Sequence, residues 1–142
     1  MASVIYNSFK RDIANGSIDL DTDTIKVLLT TSSYTPDQDA HTKRSDVTSE
    51  VSNGNGYTTG GSALANKTVT ADNTNNRGVF DADDVSWASA SFTARYAVLY
   101  KSRGGASSSD ELIAAIDFGS DYTATNGTFQ ITWSANGILT LS

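Results

Sequence analysis

The sequence predicts an all-β chain, a single-domain β-sandwich or jelly-roll-like fold with a short N-terminal helix. Three observations predict it. Apolar residues alternate with period two from Ser62 onward, Gly- and Asn-rich turns interrupt that alternation at roughly eight- to twelve-residue intervals, and a period near four is confined to the N-terminus. A length of 142 residues suits one domain over 1–142, and a chain of that size buries roughly two-thirds of its unfolded surface. With no cysteine, the fold uses no disulfide and the redox compartment stays open.

In chain order, residues 1–16 come first. Within VIYNSFKRDIA, Ile5, Phe9 and Ile13 recur every four residues and Asn15-Gly16 supplies a stop, which predicts a helix over 4–14. Next, DLDTDTIKVLL opens with Asp19, Asp21 and Asp23 at alternate positions, as a calcium loop does. Counted from Asp19, however, Thr24 stands where that loop turns on Gly, and Thr30 where a bidentate Glu belongs. The stretch is therefore an acidic turn feeding a strand over 25–31, with no metal site expected.

Residues 32–61 form a long polar loop that holds the only Pro and the only His. Its length calls for a helical turn near Asp46 to Val51 or for ordering by a partner. Strands are predicted over 63–71 and 78–87 on either side of DNTNN, then over 92–101, 111–118, 128–133 and 138–141. The last two flank Ala135-Asn136-Gly137, where the Asn-Gly pair suits a tight reversal. Both parities of Arg95 to Lys101 are largely apolar, so that strand is central and covered on both faces. Phe129, Ile131 and Trp133 share one face while Gln130 and Thr132 take the other, which predicts one wet face. Trp87 and Trp133 read as core or interface anchors.

The chain offers little for catalysis. A hydrolase triad or metal centre generally draws on His or Cys, and here His41 lies in the polar DQDAHTKRSD, where it reads as solvated. In FDADDVSW, Asp81 and Asp83 fall on one strand face with Asp84 pointing away; adjacent strand acids usually mark a solvated edge that discourages sheet pairing. GNGYTTGGSA lacks the Lys-Ser/Thr ending of a phosphate loop, so no cofactor is implied. A net charge of −6, with no basic cluster longer than Lys43-Arg44, argues against direct nucleic-acid binding. No apolar run has the length of a membrane span or a signal-peptide core, which predicts a protein without a membrane partner. It is kept in a cytoplasm unless it leaves by lysis or inside a larger particle.

One resemblance runs along essentially the whole chain. It is carried by YNSFKRDIANGSIDLDTDTIKVLLTTSSYTPDQDAHTKRSDVTSEVS, then GYTTGG, LANKTVT and VFDADDVSWASASFTARYAVLYK, and finally IDFGSDYTATNGTFQITWSANGILTL. Together these segments resemble small virion structural proteins of tailed bacteriophages, in particular the capsid decoration, or cement, proteins. The resemblance implies a non-enzymatic β protein, assembled in the host cytoplasm, that attaches to the outside of an icosahedral shell. It would bind the major capsid protein, lock neighbouring capsomers together and occur in several copies on the shell. Two other readings stay open: a tail, neck or fibre-associated protein that binds host-surface glycan, and a small carbohydrate-active enzyme with Asp81 or Asp83 in its cleft.

The segment from Ala2 to Phe9 and the loop from Ser33 to Gly61 are the parts that a β core explains least. They are the candidate contact surface, with Tyr6, Phe9 and Tyr34 as aromatic anchors and Arg11, Lys43 and Arg44 as polar contacts. The competing reading is that Tyr6 and Phe9 simply pack the helix onto the sandwich.

Overall fold

Burial of the alternating stretches organises the chain into two antiparallel sheets. The structure, a computed structural model, describes residues 3–142. In chain order the elements are β1 (Val4–Ile5), α1 (Asn7–Ala14), β2 (Ile25–Thr30), a 3-10 turn (Arg44–Asp46), β3 (Ser62–Ala63), β4 (Thr68–Asp72) and β5 (Arg77–Asp81). They continue with β6 (Val85–Lys101), a second 3-10 turn (Ser107–Ser109), β7 (Leu112–Ile131) and β8 (Leu139–Leu141). One sheet has the order β1-β7-β6-β2-β3 and the other β4-β5-β8. The fold is all-β and sandwich-like with one short N-terminal helix, as the period-two pattern predicts.

A long hairpin dominates the molecule. β6 and β7, of 17 and 20 residues, pair from Val85↔Ile131 to Tyr100↔Leu112. Where the sequence suggests four strands, over 78–87, 92–101, 111–118 and 128–133, the chain forms two continuous ones plus the separate β5. The interruptions are register shifts near Trp87, Ala90, Ala94 and Leu99, helped by left-handed backbone at Ser89, Gly119 and Asn126. Extra residues at such bulges bend a ribbon without ending it. The turn at Asn136-Gly137 also forms, Gly137 N–H donating to Ser134 O at 2.9 Å. It joins β7 to a strand of the other sheet rather than to its own neighbour, since β8 pairs with β5. The β4–β5 hairpin turns at DNTNN as expected, where Asp72 Oδ1 accepts the Thr74 and Asn75 N–H groups at 3.2 Å.

The larger sheet is covered on both faces over residues 94–100 of β6 and 112–115 of β7, while residues 119–128 of β7 stay largely exposed. Ile25, Val27, Leu29, Ala97, Leu99 and Ile113 face a cluster that also takes Phe9 of α1, Phe80 of β5 and Leu139 of β8. Leu28, Tyr96, Val98, Tyr100 and Leu112 face a second cluster, closed by Tyr6, Tyr34 and Val47. The first part of the loop over 32–61, through Tyr34 and Val47, thus supplies the outer layer of that second face, while Val51 and Tyr57 of the same loop enter the first cluster. Its one regular turn falls at Arg44–Asp46, just before the expected Asp46 to Val51, because Asp46 Oδ2 accepts the Thr42 and Lys43 N–H groups at 2.9 and 3.0 Å.

The N-terminal helix is shorter than its periodicity suggests. Val4 and Ile5 pair with Ala115 and Ala114 of β7, and Tyr6 N–H continues the ladder to Ile113 O at 3.1 Å. Ile5 therefore belongs to the sheet, because sheet pairing outcompetes a first helical turn whose N–H groups would lack partners. Among the described residues no helix is long and apolar enough to cross a membrane.

Candidate binding surface

Burial separates the six candidate contact residues. Tyr6 and Phe9 are 0% exposed and Tyr34 is 1% exposed, so all three rings lie in the molecule's own core and are corrected from surface anchors to packing residues. The physical reason is the two-sided sheet: its faces need large apolar groups to exclude water, and the N-terminal segment and the loop provide them. Ala2, the first residue of the expected contact segment, lies outside the described residues.

The buried hydroxyls form a chain. Tyr6 Oη lies 2.7 Å from Tyr34 Oη, which lies 3.0 Å from His41 Nδ1. The imidazole stacks on the Tyr34 ring at 5.6 Å, and its Nδ1 accepts the Asp37 N–H at 3.2 Å. His41 is thus half-buried and built into the loop layer rather than solvated. Burial pushes both phenols above their usual range, so both stay protonated and can donate.

The polar candidates are mostly engaged within the chain. Arg44 Nε donates to the buried Asp110 Oδ2 at 2.8 Å, and its guanidinium lies 5.1 Å from the Tyr100 ring centroid. Asp110 Oδ1 also accepts the Arg103 N–H at 2.8 Å, while the Arg103 side chain grips Glu111 at 2.6 and 2.7 Å. Arg44 therefore anchors the loop layer to the β6–β7 connection. Lys43 is half-buried and makes an antiparallel bridge with Glu111 through its backbone. Arg11 is 63% exposed while holding the nearly buried Asp12 at 2.9 Å; of the six residues, it presents the most side chain to solvent.

The surface that sequence reasoning missed lies along β7. Beyond its short pairing with β1 at Ala114 and Ala115, the outward edge of β7 meets no strand among the described residues. A groove of about 380 Å³ follows this edge, lined by Phe118, Tyr122 and Ala124 and by consecutive residues from Thr128 to Thr132. Successive side chains of a strand point to opposite faces, so a cavity lined by consecutive residues straddles the strand's edge. Phe118 and Phe129 form the aromatic floor, with ring centroids 6.1 Å apart, and Tyr122 stands 54% exposed above it. The alternation of Phe129, Ile131 and Trp133 does appear in the sequence. That their strand has no outer neighbour does not, because pairing is a long-range property.

The acidic groups are used locally. β5 ends at Asp81, so Asp81 and Asp83 do not share a strand face; Ala82 to Asp84 is a connection. There Asp83 Oδ2 accepts Asn66 Nδ2 at 2.6 Å and Asp84 Oδ1 accepts the Trp133 N–H at 3.0 Å. In the Asp19 to Asp23 turn, Asp23 Oδ2 accepts the Asp19 N–H at 2.8 Å and pairs with Lys101 at 2.9 Å. Comparison of the chain with protein-family models, with curated proteins and with solved structures finds no match.

Proposed function

We propose that this chain is a structural component of a bacteriophage virion that binds the outside of the capsid and stabilises contacts between capsomers. On this reading it is not an enzyme, its partners are the major capsid protein and further copies of itself on the shell, and its place is the capsid surface. The whole-chain resemblance to decoration proteins motivates the proposal. The observation that carries it is structural: the chain itself closes both faces of the large sheet over residues 94–100 and 112–115, while an aromatic groove and a strand edge that meets no strand among the described residues stay open on β7. Such a body resists deformation and offers contact area rather than a reaction chamber. Its 6978 Å² of surface accommodates several standard contacts, each taking about 800 Å² per partner.

Cryo-electron microscopy of the virion that encodes the chain tests this directly. Regular density of this shape over the capsomers is the expected result. Density confined to the tail or neck overturns the capsid assignment, and absence from the particle overturns the virion assignment.

A further inference from the structure

We infer that the open edge of β7 receives an extended segment of another protein, apolar at alternate positions and flanked by lysine or arginine, which adds as a strand to the larger sheet. This goes beyond the shell-binding reading and does not depend on it.

The edge provides the first argument. From Gly119 to Ile131 the strand pairs only inward, with β6, and its outward backbone groups meet no strand among the described residues. Proteins commonly protect such an edge with lysine, with proline or with a covering loop. β7 has no Lys, Arg or Pro, and bulges bend it without covering it. An extended peptide gains main-chain hydrogen bonds at an edge like this, and pockets for alternate side chains give selectivity. The groove lined by Phe118, Tyr122, Phe129 and Ile131 supplies those pockets.

Charge decides between a foreign segment and a second copy. From Leu112 to Ser142 the chain contains no lysine or arginine, and its charged side chains there are Asp117 and Asp121. Exposed Asp121 adjoins Tyr122 at the groove, whereas Asp84 sits on the inward side, at the start of β6, bonded to the Trp133 N–H. Arg95, which reaches across from β6, is committed to Asp117 through two bonds of 2.7 and 3.3 Å. Pairing two β7 edges would bring together two strands that carry acidic and no basic side chains, whereas a segment with a basic flank would meet the Asp121 carboxylate. Like charges set together across an interface disfavour the wrong partner, and opposite ones fix register.

The test uses isotope-labelled full-length protein titrated with a synthetic peptide of four Val-Thr repeats between Lys-Lys ends, followed by amide resonances. The expected result is perturbation confined to residues 118–132, saturating below about one millimolar. Replacing the flanks by Glu-Glu weakens binding at least about tenfold, and so does Thr128→Lys, which sets a cation in the groove at an exposed position. An unchanged melting temperature for Thr128→Lys shows that the fold is intact. The proposal is overturned if no amide of 118–132 moves, if the perturbation lies elsewhere, or if binding ignores flank charge. It is equally overturned if these amides respond instead to protein concentration alone, which places a second copy there, or to oligosaccharide rather than peptide.

Discussion

Tyr34 shows how one residue can serve two layers at once. Its ring closes the second cluster of the large sheet and its hydroxyl sits between the Tyr6 hydroxyl and His41. Tyr34→Phe keeps the packing and strands the buried Tyr6 hydroxyl, which should cost about 1–2 kcal/mol in urea denaturation; unchanged stability would mean the chain of hydroxyls contributes nothing. Gly61 shows the opposite case, a residue chosen for what it lacks. It sits at φ +79° against β2, and a Cβ there would stand 1.8 Å from Val27 O. Gly16 has a similar φ of +81° but open space around it. Gly61→Ala should therefore destabilise by about 3 kcal/mol or more, and Gly16→Ala only by the left-handed strain of about 1 kcal/mol. Parallel thermal melts of the two variants check the contrast.

At the scale of elements, local signals were legible and pairing was not. The two-sided burial of Arg95 to Lys101, the turn at DNTNN and the wet face of β7 follow from alternation and turn chemistry, which act over a few residues. The merging of predicted strands into β6 and β7 depends on bulges at Ser89, Gly119 and Asn126, of which Gly119 and Asn126 are residue types that favour left-handed backbone but Ser89 is not. Tyr6, Phe9 and Tyr34 were visible as aromatics with something to bury against. The sequence does not reveal that their partner is the second face of the molecule's own sheet. The hairpin also carries a pH-dependent ion pair. Arg95 binds Asp117 across β6 and β7 and holds its carboxyl at about 2, against about 3.9 in an unfolded chain. A depressed carboxyl stabilises the fold fully above the unfolded value and loses that contribution as pH falls through the folded one. Arg95→Gln should thus be less stable than the parent at neutral pH, with the gap closing between about pH 4 and pH 2. Denaturation curves across that range measure it, and a gap independent of pH would remove Asp117 from the explanation.

The molecule as a whole is a sheet clad on both sides over the half next to β2, and each cladding is made from chain that looked dispensable. On one face lie α1, the smaller sheet and Val51 and Tyr57 of the loop; on the other lies the loop's first part, pinned by Arg44 to Asp110 and by Gln38 Nε2 to Ile5 O at 2.8 Å. The N-terminal segment joins both layers, since Phe9 enters the first cluster and Tyr6 the second. Removing residues 3–9 therefore opens two clusters at once and unzips β1 from β7. Truncating one buried aromatic alone costs about 3–5 kcal/mol, and a domain's whole stability is about 5–15 kcal/mol. Loss of Tyr6 and Phe9 together is thus of the order of the total. The shortened chain should show no cooperative melt and should expose its sheet to a hydrophobic dye, whereas Lys10→Ala, at an exposed position of α1 whose ammonium donates only to Asn7 Oδ1, at 3.3 Å, among the described residues, should melt close to the parent. If the deletion instead melts normally, the segment is not part of the core, and its role as a surface arm returns as the better account of residues 3–9.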